Sequence, residues 1–171
     1  TALYEDSASI TQECKIPLIL IHGIHGNRWP KGSRNAGVND PRTSPYTGYF
    51  PSLISKLRTK VPGFDTKYKI YRFHYPSDKH PVKEIARSLR NRLVDLIRAD
   101  RQNFDKKILL VAHSMGGLVA RSYINDFDHD AGEYKGKGAG ERISKLITLG
   151  TPHHGTHIAN GDARAPTLNL V

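Results

Sequence analysis

Residues 107–117 read Lys107-Ile108-Leu109-Leu110-Val111-Ala112-His113-Ser114-Met115-Gly116-Gly117, and this stretch decides the fold. Residues 107–112 carry a short, unbroken apolar run, the pattern of a strand buried on both faces. Residues 115–125 place Leu118, Val119 and Tyr123 at helical spacing, which predicts a helix with those side chains inward. Ser114 stands at the switch between the two. A residue in so tight a strand-to-helix turn takes a strained backbone conformation, and its side chain is lifted above the sheet. The turn crowds the residues two before and two after it, so both must be small. Ala112 and Gly116 meet that demand. The helix that follows aims its first amides at the serine and favours negative charge there.

Working outward, residues 17–24 open with another continuous apolar run and close on a glycine, predicting a second buried strand. Residues 69–73 and 143–149 predict two more. Between them, 49–60 and 81–99 have helical spacing. In 81–99, Pro81 suits the first helical position and Glu84 the positive end, while Val82, Ile85, Leu89, Leu93 and Leu96 form one apolar stripe. Residues 1–15 read as a polar arm, 25–45 as a long loop rich in Gly and Pro, and 128–141 as a Gly-rich polar loop. The stretch from Gly150 to Val171 has no clear period. Buried strands alternating with amphipathic helices imply an α/β fold, a parallel sheet with helices on both faces. Functional groups then collect at the carboxyl ends of the strands.

Composition narrows the class. With 171 residues, 37% hydrophobic and 25% charged, the chain suits one globular domain and not a disordered one. Its longest apolar runs, 18–21 and 108–112, are far too short for a transmembrane segment. The formal charge is +10, but the basic residues are scattered, with no block and no zinc-finger spacing. A solvated face therefore takes precedence over a nucleic-acid partner. Cys14 is the one cysteine, so no internal disulfide forms. The sequence starts at Thr1 rather than Met, which leaves a removed leader open.

Two further motifs fall on the carboxyl rim. His22-Gly23-Ile24 ends the first buried strand. Acyl transfer passes through a tetrahedral oxyanion that needs two preplaced donors. The backbone N–H of Met115 would supply one, and the loop after this strand the other, most simply through the backbone N–H of Ile24, with Gly23 letting the backbone come close. Gly150-Thr151-Pro152-His153-His154-Gly155 follows the fourth strand. Metal sets built on His74, Asp78 and His80, or on His153, His154 and His157, lack a tight ligand spacing, so no metal and no other cofactor is expected. His22 and His25 read as structural or pocket-lining.

Ile21-His22-Gly23-Ile24, the Val111–Arg121 segment and Leu149–Thr156 together resemble the α/β-hydrolase fold, and within it the lipase branch of triacylglycerol lipases and related lipid deacylases. The Ala-x-Ser-x-Gly form is similar to that of small Bacillus-type lipases. The resemblance runs from about residue 16 to 157. It implies a serine carboxylic-ester hydrolase, lipase or esterase, acting through an acyl-enzyme on Ser114. Ile24 and Met115 would donate to the oxyanion, while His22, Gly23, His113, Gly116 and His153 would sit near the site. It also implies that 17–22, 69–73, 107–112 and 143–149 are the family's third to sixth strands.

The resemblance places the acid after the sixth or seventh strand and the histidine after the eighth, and here only His129, His153, His154 and His157 follow Ser114. His129 falls in the polar loop after the helix, on the far side from the rim, and the resemblance gives His153 and His154 to a structural or pocket-lining turn. Asp162 has the right chain order for the acid but reads as a solvated carboxylate. The expectation is a single α/β-hydrolase domain over 1–171 that lacks its C-terminal strands, with 158–171 opening a lid or pocket segment. Trp29 and Tyr46 are expected to help wall the pocket. The expected partner is a lipid or small ester substrate, and the basic charge suggests an anionic lipid interface as a further candidate. A secreted or periplasmic place ranks ahead of the cytoplasm. The alternatives are a thioesterase or amidase on the same fold, and a non-catalytic truncated relative.

Overall fold

The protein is described by a computed structural model over residues 2–5, 14–24, 49–77, 80–125 and 139–156. In chain order the elements are β1 (Ala2–Glu5), β2 (Ile16–Ile21), α1 (Tyr49–Lys60), α2 (Phe64–Lys67), β3 (Tyr68–His74), α3 (Val82–Ala99), α4 (Arg101–Phe104), β4 (Ile108–His113), α5 (Met115–Asn125), α6 (Ala139–Arg142) and β5 (Ile143–Leu149). The strands form one sheet in the order β1-β3-β2-β4-β5. β3, β2, β4 and β5 run parallel, and β1 pairs antiparallel with β3.

The apolar run of β2 follows from its place in the middle of this sheet. Ile19 and Ile21 point to the side of α3 and α5, against Leu89, Leu93 and Val119. Leu18 and Leu20 point the other way, against Phe50 and Ile54 of α1. A strand covered on both faces has no polar side to show. β5 differs. It carries an irregularity where Ile108 pairs with Ile143 but Leu109 with Lys145. The extra residue, Ser144, donates its hydroxyl to the Ile108 carbonyl at 3.0 Å. Beyond it, Leu146 packs on the α5 side, whereas Ile147 and Leu149 are each 39% exposed.

α3 shows how sequence spacing becomes packing. Ile85, Leu89 and Leu93 of the expected stripe are buried, with Val82 and Leu96 half-buried at its margins. Ala86 and Ile97 complete the buried face, because each residue turns the helix by about 100° and a stripe drifts. Pro81 sits one position earlier than expected, as the N-cap with ψ 151°. Its carbonyl accepts the amides of Glu84 and Ile85, both at 3.1 Å. At the other end, the Asp100 carboxylate accepts from Lys69 Nζ at 3.0 Å and from Tyr71 Oη at 3.1 Å. Asn103 Nδ2 donates to it at 2.9 Å. Burial works against the charged form, but the bonds from Asn103, Lys69 and Tyr71 outweigh it and hold the carboxyl below its ordinary range.

Three expectations need correction. The arm over 1–15 contains β1, whose Leu3 pairs with Phe73 and packs on the core. Leu118 is half-buried, because the inward stripe of α5 runs through Gly116, Val119, Ala120 and Tyr123. The end of the 128–141 loop is the one-turn helix α6. The expected long loop with His25, Trp29 and Tyr46 lies outside the described residues, as do Asp78, His129, His157 and Asp162.

The topology itself marks a site. From β2 the chain leaves through α1 to β3 on one side, and from β4 it leaves through α5 to β5 on the other. The connections diverge at the carboxyl ends of β2 and β4. In open parallel sheets, that divergence opens the crevice where ligands bind.

Candidate active site

Ser114 occupies the junction of β4 and α5 with φ 52°, the one left-handed non-glycine residue among the described residues. An L side chain in that region costs about 1–2 kcal/mol. The surroundings hold it there. Its amide donates to the Leu149 carbonyl of β5 at 2.8 Å, and its carbonyl accepts the Gly117 amide at 3.0 Å. Met115, buried, begins α5 directly after it.

The glycines around Ser114 explain why the turn can pack so tightly. A Cβ on Gly23 would lie 2.7 Å from Ser114 Cβ and 3.0 Å from His113 Nδ1. A Cβ on Gly116 would lie 2.5 Å from the Ile21 carbonyl oxygen and would also strike that of His22. Small size at Gly116 therefore serves the approach of α5 to the end of β2. A Cβ on Gly117 would meet the side chain of Thr151, with Cγ2 at 2.6 Å. Thr151 carries no signal of its own in the sequence. Its buried Oγ1 has no hydrogen-bond partner among the described residues.

His22 is fully buried at the exit of β2. Its Nδ1 is 2.7 Å from the Gly23 carbonyl oxygen, and its Nε2 accepts the Tyr75 amide at 3.3 Å. The proton therefore sits on Nδ1. The ring stacks on Tyr75 at 4.0 Å and tilts against His74 at 5.7 Å. Burial is the largest cause that pushes its pKa down to about 4, with the nearby His74 adding to it. A neutral ring with both nitrogens engaged is a strut, not a proton acceptor. Ile24, half-buried, follows on and packs against the α3 and α5 side of the core.

His113 ends β4 with its Nδ1 facing Gly23, and burial lowers its pKa as well. His153 lies on the exit of β5, exposed. Its Nδ1 accepts from Arg121 Nη1 at 3.0 Å, so its Nε2–H donates to Thr148 Oγ1 at 3.1 Å. The structure thus brings His22, Gly23, Ile24, His113, Ser114, Met115 and Gly116 together where β2 and β4 end. It commits His153 to α5 and β5 instead. Among the described residues no group of three His, Cys, Asp or Glu side chains is arranged to hold a metal ion. No helix among them is long and apolar enough to cross a membrane. Tyr75 is the residue that sequence reading missed. It follows a strand with no motif of its own, and its contacts reach back 53 positions.

Comparison with known proteins supplies a context for this rim. The sequence profile of the family described as "Putative serine esterase (DUF676)" matches residues 15–165. Curated protein sequences give no significant match. Among solved structures, the chain is similar to the Bacillus licheniformis lipase BlEst2 in its mature form, at 20% identity and TM-score 0.55, covering 95% of this chain and 51% of that one. It is also similar to phospholipase PlaB from Legionella pneumophila, at 22% identity and TM-score 0.51, covering 85% of this chain and 27% of that one. These likenesses establish the α/β-hydrolase fold. The chain spans about half the length of the mature lipase and about a quarter of the phospholipase.

Proposed function

The chain belongs to the family described as "Putative serine esterase (DUF676)", and on that premise we propose that it is a serine carboxylic-ester hydrolase with Ser114 as its nucleophile. The observation that carries the reading is the left-handed φ of 52° at Ser114, between a buried strand and a helix N-terminus. Backbone strain of this kind clusters at functional positions. In the proposed reaction, Ser114 Oγ attacks the ester carbonyl as its proton passes to a base. The carbonyl oxygen becomes an oxyanion facing the backbone N–H groups of Met115 and Ile24. The tetrahedral species collapses, the alcohol leaves with a proton, and the acyl group stays on Ser114. Water then attacks the acyl-enzyme, releasing the acid and restoring the hydroxyl. His22 and His153, each with both ring nitrogens engaged, are not the base.

The test compares turnover of a p-nitrophenyl ester, the matching thioester and the matching anilide by wild-type protein and Ser114→Ala. The expected result is ester turnover ahead of the other two, reduced at least about 10³-fold in Ser114→Ala. Preference for the thioester or anilide would move the protein to another acyl-hydrolase class. Absence of all turnover, or full turnover in Ser114→Ala, would overturn the reading.

A further inference from the structure

The contacts of Tyr75 form a chain that ends at the peptide bond between Gly23 and Ile24. Tyr75 is fully buried just after β3. Its backbone N–H donates to His22 Nε2 at 3.3 Å, its hydroxyl donates to the His22 carbonyl, and its ring lies 4.0 Å over the imidazole at an interplanar angle of 10°. The amide and the stacked ring fix the His22 imidazole in position and in tautomer, while the hydroxyl holds the His22 backbone carbonyl. With Nε2 accepting, the proton must be on Nδ1, and Nδ1–H donates to the Gly23 carbonyl at 2.7 Å. That carbonyl shares its peptide plane with the Ile24 N–H. In a trans peptide the two point in opposite directions. Holding the oxygen toward His22 therefore turns the N–H of Ile24 away from it.

We propose that Tyr75 and His22 are positioning residues for the reaction, a relay that fixes the Gly23–Ile24 peptide plane so that the Ile24 N–H is set as oxyanion donor. This rests on the reading of Ser114 as nucleophile and Ile24 as donor. The relay also polarises the donor. A hydrogen bond accepted at the carbonyl of a peptide strengthens the N–H of the same unit. Gly23 leaves the peptide no side chain to lock it, and a Cβ there would strike Ser114. His22 supplies a hold on its orientation from outside the peptide.

The test uses Tyr75→Phe, His22→Asn and His22→Leu in the whole protein. Asn places an amide N–H where Nδ1–H stood, and Leu removes the donor. Tyr75→Phe keeps the ring and the backbone N–H and removes only the hydroxyl. The relay predicts kcat for ester hydrolysis about tenfold or more higher in His22→Asn than in His22→Leu, with KM alike. It predicts a fall of about three- to tenfold in Tyr75→Phe. Melting temperatures measured alongside separate this from a general loss of packing, which would lower kcat equally in both His22 variants. The ¹⁵N–¹H resonance of the Ile24 amide gives a readout that needs no activity. It should shift in His22→Leu and Tyr75→Phe and stay near its wild-type position in His22→Asn, with wild-type His22 protonated on Nδ1. If wild-type protein hydrolyses no ester, the Ser114 reading fails, and the resonances alone decide the relay. A wild-type ring protonated on Nε2, an Ile24 resonance unmoved in His22→Leu, or equal kcat in the two His22 variants would overturn it.

Discussion

The backbone at Ser114 is held against its own preference by the Leu149 carbonyl, the Gly117 amide and the tight seat of Gly23. Glycine adopts φ 52° without penalty, whereas alanine does not. Ser114→Gly should therefore be more stable than Ser114→Ala by about 1 kcal/mol in urea denaturation, after the greater chain entropy of unfolded glycine is allowed for. Equal stabilities would mean that the turn stores no strain. Gly23→Ala acts in the opposite sense, forcing a Cβ to 2.7 Å from Ser114 Cβ. A loss of about 1–3 kcal/mol is expected, with a broken site. His22 gives the protein a signature against pH. Its folded pKa of about 4 lies below the 6.5 of the unfolded chain, so the unfolded state binds the proton first. The stability tied to the neutral ring is complete above pH 6.5 and is lost as pH falls toward 4, amounting to about 3 kcal/mol. Urea midpoints across that window should fall more steeply in wild type than in His22→Asn. Parallel slopes would place the imidazole in water. The motif around Ser114 was legible because its turn is made by neighbours in sequence. The Tyr75–His22 pairing was not, because it forms only when the exits of β2 and β3 are side by side.

Elements differ in how far their own residues specify them. β2, β4 and α3 announce themselves, since a strand buried on both faces must be apolar throughout and a half-buried helix must repeat every three to four residues. In α3 this yields a sharp contrast. Leu89→Ala should cost about 2–5 kcal/mol in denaturation, because Leu89 is completely buried between α3 and the sheet. Arg87→Ala, on the exposed face, should stay within about 0.5 kcal/mol. Equal costs would contradict the placing of the stripe. β1, α2, α4 and α6 could not be read in the same way. Each is four residues long and shows no period. β1 exists because the edge of β3 offers it a ladder, from Ala2 opposite His74 to Glu5 opposite Tyr71. α4 depends on Asp100, whose carboxylate ties it to Lys69 and Tyr71 of β3. Such elements are products of the tertiary structure, and a local pattern carries no record of them.

On the scale of the whole molecule, the sheet order separates a chemical rim from a structural one. The carboxyl ends of β2 and β4 carry Gly23, Ile24 and Ser114, while the opposite rim carries the Asp100 network. The formal charge of +10 belongs to this scale too. If it serves an anionic lipid interface, as proposed from the sequence, binding to vesicles rich in anionic lipid should weaken markedly between about 0.05 M and about 0.5 M salt. Binding indifferent to salt would remove that role from the charge. The central claim is narrower: one serine, held at the junction of strand and helix, is the nucleophile. It is tested most directly by the intact mass of the protein before and after a fluorophosphonate probe, followed by peptide mapping. The account predicts a gain of one probe on Ser114 and none in Ser114→Ala. A protein left unlabelled, or labelled at another residue, would contradict it.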